Sequence, residues 1–215
     1  MHEPEITTAG LALDIDETLS ATNRFWIREL AERFGNPDNL SHDEIIARYR
    51  YTQHVPFWQA PEALAWMEEA RNSDDIQEAL PLIENANHIV EQLQKIVPIA
   101  GYVTARPQQV RSGTLKWLAR HNFPHAPLIM RPEGMEYTDG NKWKAELLAS
   151  LHPNVWGIID DNPGLIPHLP SDYKGTIFLY DHEGIGETSV NVVAVQKWED
   201  MLAAVSSSLP DILTP

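Results

Sequence analysis

Gly10-Leu11-Ala12-Leu13-Asp14-Ile15-Asp16-Glu17-Thr18 is a short apolar run that ends abruptly in carboxylates. Such a run reads as a buried β-strand whose C-terminal end emerges at a site. If the extended backbone continues, Asp14 and Asp16 project to the same side, two residues apart. Outward from this stretch the same shape recurs. Ile99-Ala100-Gly101-Tyr102-Val103 leads into Thr104-Ala105-Arg106-Pro107, Pro127-Leu128-Ile129-Met130 into Arg131, and Val155-Trp156-Gly157-Ile158-Ile159 into Asp160-Asp161. Thr176 to Tyr180 is a further strand. Helical spacing runs between them, over Ala86 to Val97, Val110 to His121 and Lys142 to Leu151. A last helix lies around Trp198 to Val205, after which Ser206 to Pro215 reads as a loose tail. Strands alternating with helices, and apolar on both faces, predict a three-layer Rossmann-like α/β fold with a parallel sheet covered on both sides.

Ala21 to Leu80 has a different rhythm. Asn23 to Phe34 places Phe25, Trp26, Leu30, Arg33 and Phe34 near one helical stripe, and Gly35-Asn36-Pro37 stops it. Ser41 followed by Glu44 is a capping box that opens a helix through about Arg50. Pro61 suits the first turn of a helix ending near Arg71. This stretch reads as helical throughout and is rich in Trp, Tyr and His.

The chain has 215 residues, 43% of them hydrophobic and 22% charged, which is globular composition. Thirty-one acidic against 16 basic residues give a formal charge of −15. That balance argues against long nucleic acids and anionic membranes as partners. With no cysteine, a disulfide scaffold, thiol catalysis and cysteine-held metal are excluded. Met1-His2-Glu3-Pro4-Glu5 has no basic segment followed by an apolar one, and no apolar run is long enough to span a bilayer, so the expectation is a soluble cytoplasmic protein.

In an open parallel sheet the C-terminal strand ends share one edge, so Asp14, Asp16, Thr104, Asp160 and Asp161 converge. Lys142 or Lys144, at the start of the preceding helix, joins them. Four carboxylates together repel one another unless a cation intervenes. Oxygen ligands without His or Cys point to Mg2+, which commonly binds a carboxylate or two together with a substrate phosphate. In such a site one aspartate attacks phosphorus. The other protonates the leaving oxygen and then activates water. Thr104 and neighbouring backbone N–H groups hold the phosphoryl oxygens, and the lysine neutralises them.

These residues resemble the haloacid-dehalogenase-like hydrolases. The first motif of that family is similar to Asp14-Ile15-Asp16-Glu17-Thr18, the second to Val103-Thr104-Ala105-Arg106, and the fourth to Ile158-Ile159-Asp160-Asp161-Asn162-Pro163. The third, a lysine, is Lys144 or Lys142. Lys144, opening Ala145-Glu146-Leu147-Leu148, fits a helix start better. The likeness covers residues 11–20 and 81–180. It implies that Asp14 is the nucleophile of an aspartyl-phosphate and Asp16 the general acid/base, with its main-chain carbonyl on the metal. Asp161 would be a Mg2+ ligand, and Asp160 a neighbouring or alternate one. Thr104, Ala105, Arg106 and the lysine would bind substrate. A carboxylate at Asp16 implies a phosphatase rather than a dehalogenase or phosphonatase. Glu17 stands where many members have Gly. The resemblance also implies a division into a catalytic core, 1–20 and 81–215, and a small all-helical cap, 21–80.

The resulting expectation is a Mg2+-dependent phosphatase for a small phosphomonoester, a nucleotide or a sugar phosphate. A phosphotransferase or mutase would use the same aspartates, and a non-catalytic phosphate-binding protein would have lost one of them. Arg48, Tyr51, His54 and Trp58 are candidates for contact with the leaving group. Trp26, Trp58 and Trp66 also suit the core of a small helical unit, which needs large side chains to bury enough area. Arg106 could touch substrate or simply pair with an acid on the surface. The remaining histidines lack metal-ligand spacing.

Overall fold

The computed structural model describes residues 5–49 and 51–212, the last few as backbone only. Strands β1 (Gly10–Leu13), β2 (Ile99–Pro107), β3 (Leu128–Arg131), β4 (Val155–Asp160), β5 (Thr176–Tyr180) and β6 (Asn191–Val195) form one six-stranded sheet in the order β3-β2-β1-β4-β5-β6. Every neighbouring pair is parallel. Strand alternation divides the core. Leu11 and Leu13 face helices α5 (Ala86–Leu93), α6 (Arg111–Arg120) and α8 (Trp198–Ile212), while Ala12 faces α7 (Gly140–Leu151) and the 3-10 turn Pro163–His168. The sheet is therefore covered on both faces, as the apolar strands require.

Two features differ from the sequence reading. Asn191-Val192-Val193-Ala194-Val195, where the sequence reading placed no strand, is an edge strand paired with β5. The serine-rich stretch from Ser206, read as loose, continues α8 to Ile212. Ser206 and Ser208 donate to the carbonyls of Leu202 and Ala204, at 2.7 and 3.0 Å, so their hydroxyls are satisfied inside the helix. Residues 213–215 and Arg50 lie outside the described residues.

Helices α1 (Thr22–Phe34), α2 (His42–Tyr49), α3 (Pro61–Arg71) and α4 (Asp74–Ala79) follow β1. The capping box forms: Glu44 accepts from the Ser41 N–H at 2.7 Å and the Ser41 hydroxyl accepts from the Glu44 N–H at 3.3 Å. Trp26, Leu30, Ile45, Val55, Trp58 and Met67 close an apolar cluster of their own, and the Trp58 indole donates to the Gly35 carbonyl at 2.9 Å.

Helix α4 instead docks on α6. Asp74 accepts the Gly113 N–H at 2.6 Å, Arg120 donates to the Glu78 carbonyl at 2.9 Å, and the Trp117 indole donates to the Leu80 carbonyl at 2.7 Å. Only glycine permits this approach, because a Cβ at position 113 would stand 2.1 Å from the Asp74 carbonyl oxygen. Among the described residues no helix is long and apolar enough to cross a membrane.

Candidate active site

β1 ends at Leu13 and the chain turns immediately, with the Leu19 and Ser20 N–H groups both donating to the Ile15 carbonyl at 2.8 Å. Ile15 is buried in the core, while its neighbours Asp14 and Asp16 both line the cavity at the sheet edge. Glu17 sits in the left-handed region at φ 57°, the conformation glycine takes most readily. Its carboxylate accepts the Asn23 N–H at 2.6 Å. It thereby supplies the acceptor at the start of α1 that Ala21, at the cap position, cannot.

At the centre is Lys144. Its Nζ lies 2.7 Å from Asp14 Oδ1 and 2.7 Å from Asp160 Oδ2, with all three side chains buried. Lys142 is 63% exposed and lies 3.9 Å from Glu146, so only Lys144 reaches the sheet edge. Carboxylate oxygens of Asp14, Asp160 and Asp161 lie within 4.8 Å of one another. The Thr18 hydroxyl ties the two loops together, 3.5 Å from Asp14 and 3.3 Å from Asp161, and accepts the Asp161 N–H at 3.1 Å. From behind, the buried Trp198 indole donates to the Thr18 carbonyl at 2.9 Å. His182 Nε2 lies 2.9 Å from the Asp161 carbonyl.

Burial raises the Asp14 carboxyl, helped by Asp160 and Asp16 and opposed by Lys144. Asp161 is raised for the same reasons, by burial and then by Asp160 and Asp14. For Lys144, burial works against the charge, but Asp14 and Asp160 outweigh it and raise its pKa. The cluster thus sets one ammonium against three carboxylates. A hard divalent cation fits this oxygen-only donor set and relieves the remaining repulsion.

Asp16 is placed differently from the other three aspartates. Both its oxygens are held by Arg106: Nε lies 3.1 and 3.0 Å from them, and Nη2 lies 2.7 Å from Oδ1. Thr22 donates to it at 2.6 Å and Ser20 at 3.3 Å. Burial would raise its carboxyl, but the Arg106 charge and these hydrogen bonds hold it below the usual carboxylate range. Its side chain is outside the group of carboxylates that could share an ion. Arg106 itself is buried and also reaches Ser20 and Thr114.

Thr104 is fully buried, because β2 runs on to Pro107. Its hydroxyl accepts the Arg106 N–H at 3.2 Å. Ala105 and Arg106, not Thr104, line the cavity. Arg131 is buried with its Nε on the Ala105 carbonyl at 3.0 Å, where it braces the loop from outside the cavity.

The cavity above these groups measures about 310 Å³, at the small end of the ~300–1,000 Å³ range of small-molecule sites. Asp14, Asp16, Glu17, Asp161 and Lys144 line it from the sheet edge, as its floor, and Tyr51 and His54 line it from the segment after α2. Two other expected contacts are not there. Trp58 is fully buried in the helical cluster, and Arg48 is exposed on α2 over the Tyr49 ring. Arg71, Gln77 and Tyr137 line the cavity although nothing in the sequence marks them. They carry no motif and are brought in by the packing of α3, α4 and the turn before α7.

The family model for the LNS2 domain of PITM 1-3 matches residues 70–159. No curated protein matches the chain. Among solved structures, a HAD family hydrolase from Deinococcus radiodurans R1 with bound phosphate and sodium is 18% identical. The match covers 98% of this chain and 100% of that one, with a TM-score of 0.52. The HAD-hydrolase YfnB from Bacillus subtilis, bound to magnesium, is 16% identical over 93% of this chain and 99% of that one, at 0.53. A dehalogenase with an intermediate complex is 12% identical over 94% and 98%, at 0.55. The chain therefore has the fold of the haloacid-dehalogenase-like hydrolases, with an acidic cluster at the edge of its parallel sheet.

Proposed function

We propose that the protein is a Mg2+-dependent phosphatase that hydrolyses small phosphomonoesters through an aspartyl-phosphate on Asp14. The observation that carries this reading is the buried lysine bridge, with Lys144 at 2.7 Å from both Asp14 and Asp160 and Asp161 beside them. Asp14, Asp161 and the Asp16 carbonyl would hold the ion, with Asp160 next to it. When bound, Mg2+ supplies charge neutralisation at the phosphoryl oxygens.

The chain's own groups do the rest. Asp14 attacks phosphorus and the bond to the leaving oxygen breaks. Lys144 and the N-terminal turn of α7, where Gly140 and Asn141 line the cavity, offset the negative charge of the transferring group. Arg106 keeps Asp16 ionised in this conformation, which suits the second step, in which Asp16 takes the proton of the attacking water. For the first step the Asp16 carboxylate turns away from Arg106 and takes up a proton from solvent, which it then delivers to the leaving oxygen as the bond from phosphorus to that oxygen breaks. A carboxylate at this position is what distinguishes the reading from halide displacement. Residues 21–80 serve as a cap over the core, 1–20 and 81–215. With α4 fastened to α6, the movable part of the cap ends near Ser73.

The test is release of inorganic phosphate from a broad phosphomonoester panel with Mg2+, by the wild type and by Asp14→Asn. Turnover by the wild type and its loss in the variant are expected. No phosphate from any ester, or full activity in Asp14→Asn, would overturn the proposal.

A further inference from the structure

Lys144 and Arg106 both line the cavity, and both are consumed by the carboxylates of its floor. Arg71, at the end of α3, is a third cationic side chain on the cavity wall and is not tied to those carboxylates. Its ion-pair partner is Glu68, one turn back on the same helix and 66% exposed. A solvent-facing pair of this kind contributes little and exchanges readily for another anion. The guanidinium is also oriented. Its carbon lies 5.2 Å from the centre of the Tyr137 ring, which holds the planar fork by a cation–π contact. Gln77 Nε2 donates to the Arg71 carbonyl at 3.3 Å, fixing the end of the helix that carries it. A guanidinium that lines a small cavity over an aromatic ring, with an exposed carboxylate as its ion-pair partner, is a receptor for a planar or tetrahedral oxyanion.

We propose that Arg71, backed by Tyr137, selects phosphomonoesters whose alcohol portion carries a second anionic group. The inference rests on the phosphatase reading and names the substrate class for it. The scissile phosphate sits at the aspartate floor, and the second anion is held by the Arg71 fork in the cavity lining. Uncharged alcohols leave that fork on Glu68.

The test compares three esters of one skeleton with Mg2+: n-propyl phosphate, 3-phosphooxypropionate and propane-1,3-diyl bisphosphate. For the wild type, kcat/KM is expected to be about tenfold or more higher for one or both anion-bearing esters. Preference for the carboxylate or for the second phosphate identifies the anion. In Arg71→Met the ratio is expected to fall to near one, chiefly through KM, while Arg71→Lys keeps part of it because the charge remains without the fork. Each ratio is internal to one protein, so partial loss of folded enzyme does not mimic the result. Equal efficiency on all three esters, or a ratio that survives Arg71→Met, overturns the inference and leaves the phosphatase reading standing. Turnover of other phosphomonoesters but none of these three does the same. No turnover of any phosphomonoester overturns both.

Discussion

A single side chain decides how the floor of the site balances. Lys144 is buried between two carboxylates, and removing its charge leaves both uncompensated away from water. Lys144→Met is expected to destabilise the metal-free protein by about 3–5 kcal/mol. Lys142→Met, at an exposed position two residues earlier, should stay within about 0.5 kcal/mol. Urea denaturation of the two variants checks this, and equal midpoints would contradict it. The sequence already contained both lysines and left the choice between them to helix-start pattern; the α7 register brings Lys144 to Asp14 and Asp160 and leaves Lys142 exposed. Asp14, Asp160 and Asp161 were legible because strand ends of a parallel sheet must meet. The Arg106–Asp16 clasp was not legible: pairing with an acid was expected only at the surface, whereas Arg106 is buried. Which acid faces Arg106 depends on β2 running past Thr104, and the apolar run of β2 gave no sign of that. Thr104 shows the limit of motif reading: its position is as expected, but its hydroxyl is used to brace Arg106.

Elements were easiest to read where burial was complete. β1, β4 and β5 are wholly or almost wholly buried, and their apolar runs announced them. β6 is an edge strand with intermediate exposure over most of its length, so its short Val-Val-Ala-Val run gave no comparable signal. The end of α3 at Arg71 was legible, but nothing in the sequence marked α4 as a separate short helix that leaves the helical cluster. Yet α4 packs against α6, and that contact hangs on one glycine. Gly113→Ala is expected to overpack this seam and cost about 1–3 kcal/mol. Gly184→Ala, where a Cβ meets nothing within 4 Å, should change stability by only a few tenths, about 0.5 kcal/mol at most. Thermal melts of the two variants distinguish these outcomes. A silent Gly113→Ala would mean that the seam is looser than its hydrogen bonds suggest.

On the scale of the molecule, the cavity joins residues from several separated stretches, and sequence spacing could not show that Arg71, Gln77 and Tyr137 meet. Its electrostatics predict a pH dependence. Folding raises the Asp14 carboxyl from 3.8 to about 7. A group raised in this way contributes stability that is whole below its unfolded pKa and is lost as pH climbs through its folded one. Metal-free protein should therefore lose stability between about pH 4 and pH 7, and Asp161 adds to the same trend. Mg2+ competes with protons for these oxygens, so the rise in Tm on adding millimolar Mg2+ should be larger at about pH 8 than at about pH 5. Scanning calorimetry with and without chelator reads this directly, and the opposite ordering would refute it. The Trp198 indole that grips the Thr18 carbonyl lies 180 positions further along the chain. During synthesis the opening loop must wait for that indole to leave the ribosome, and so the acidic cluster is completed late, after most of the sheet has had the chance to form.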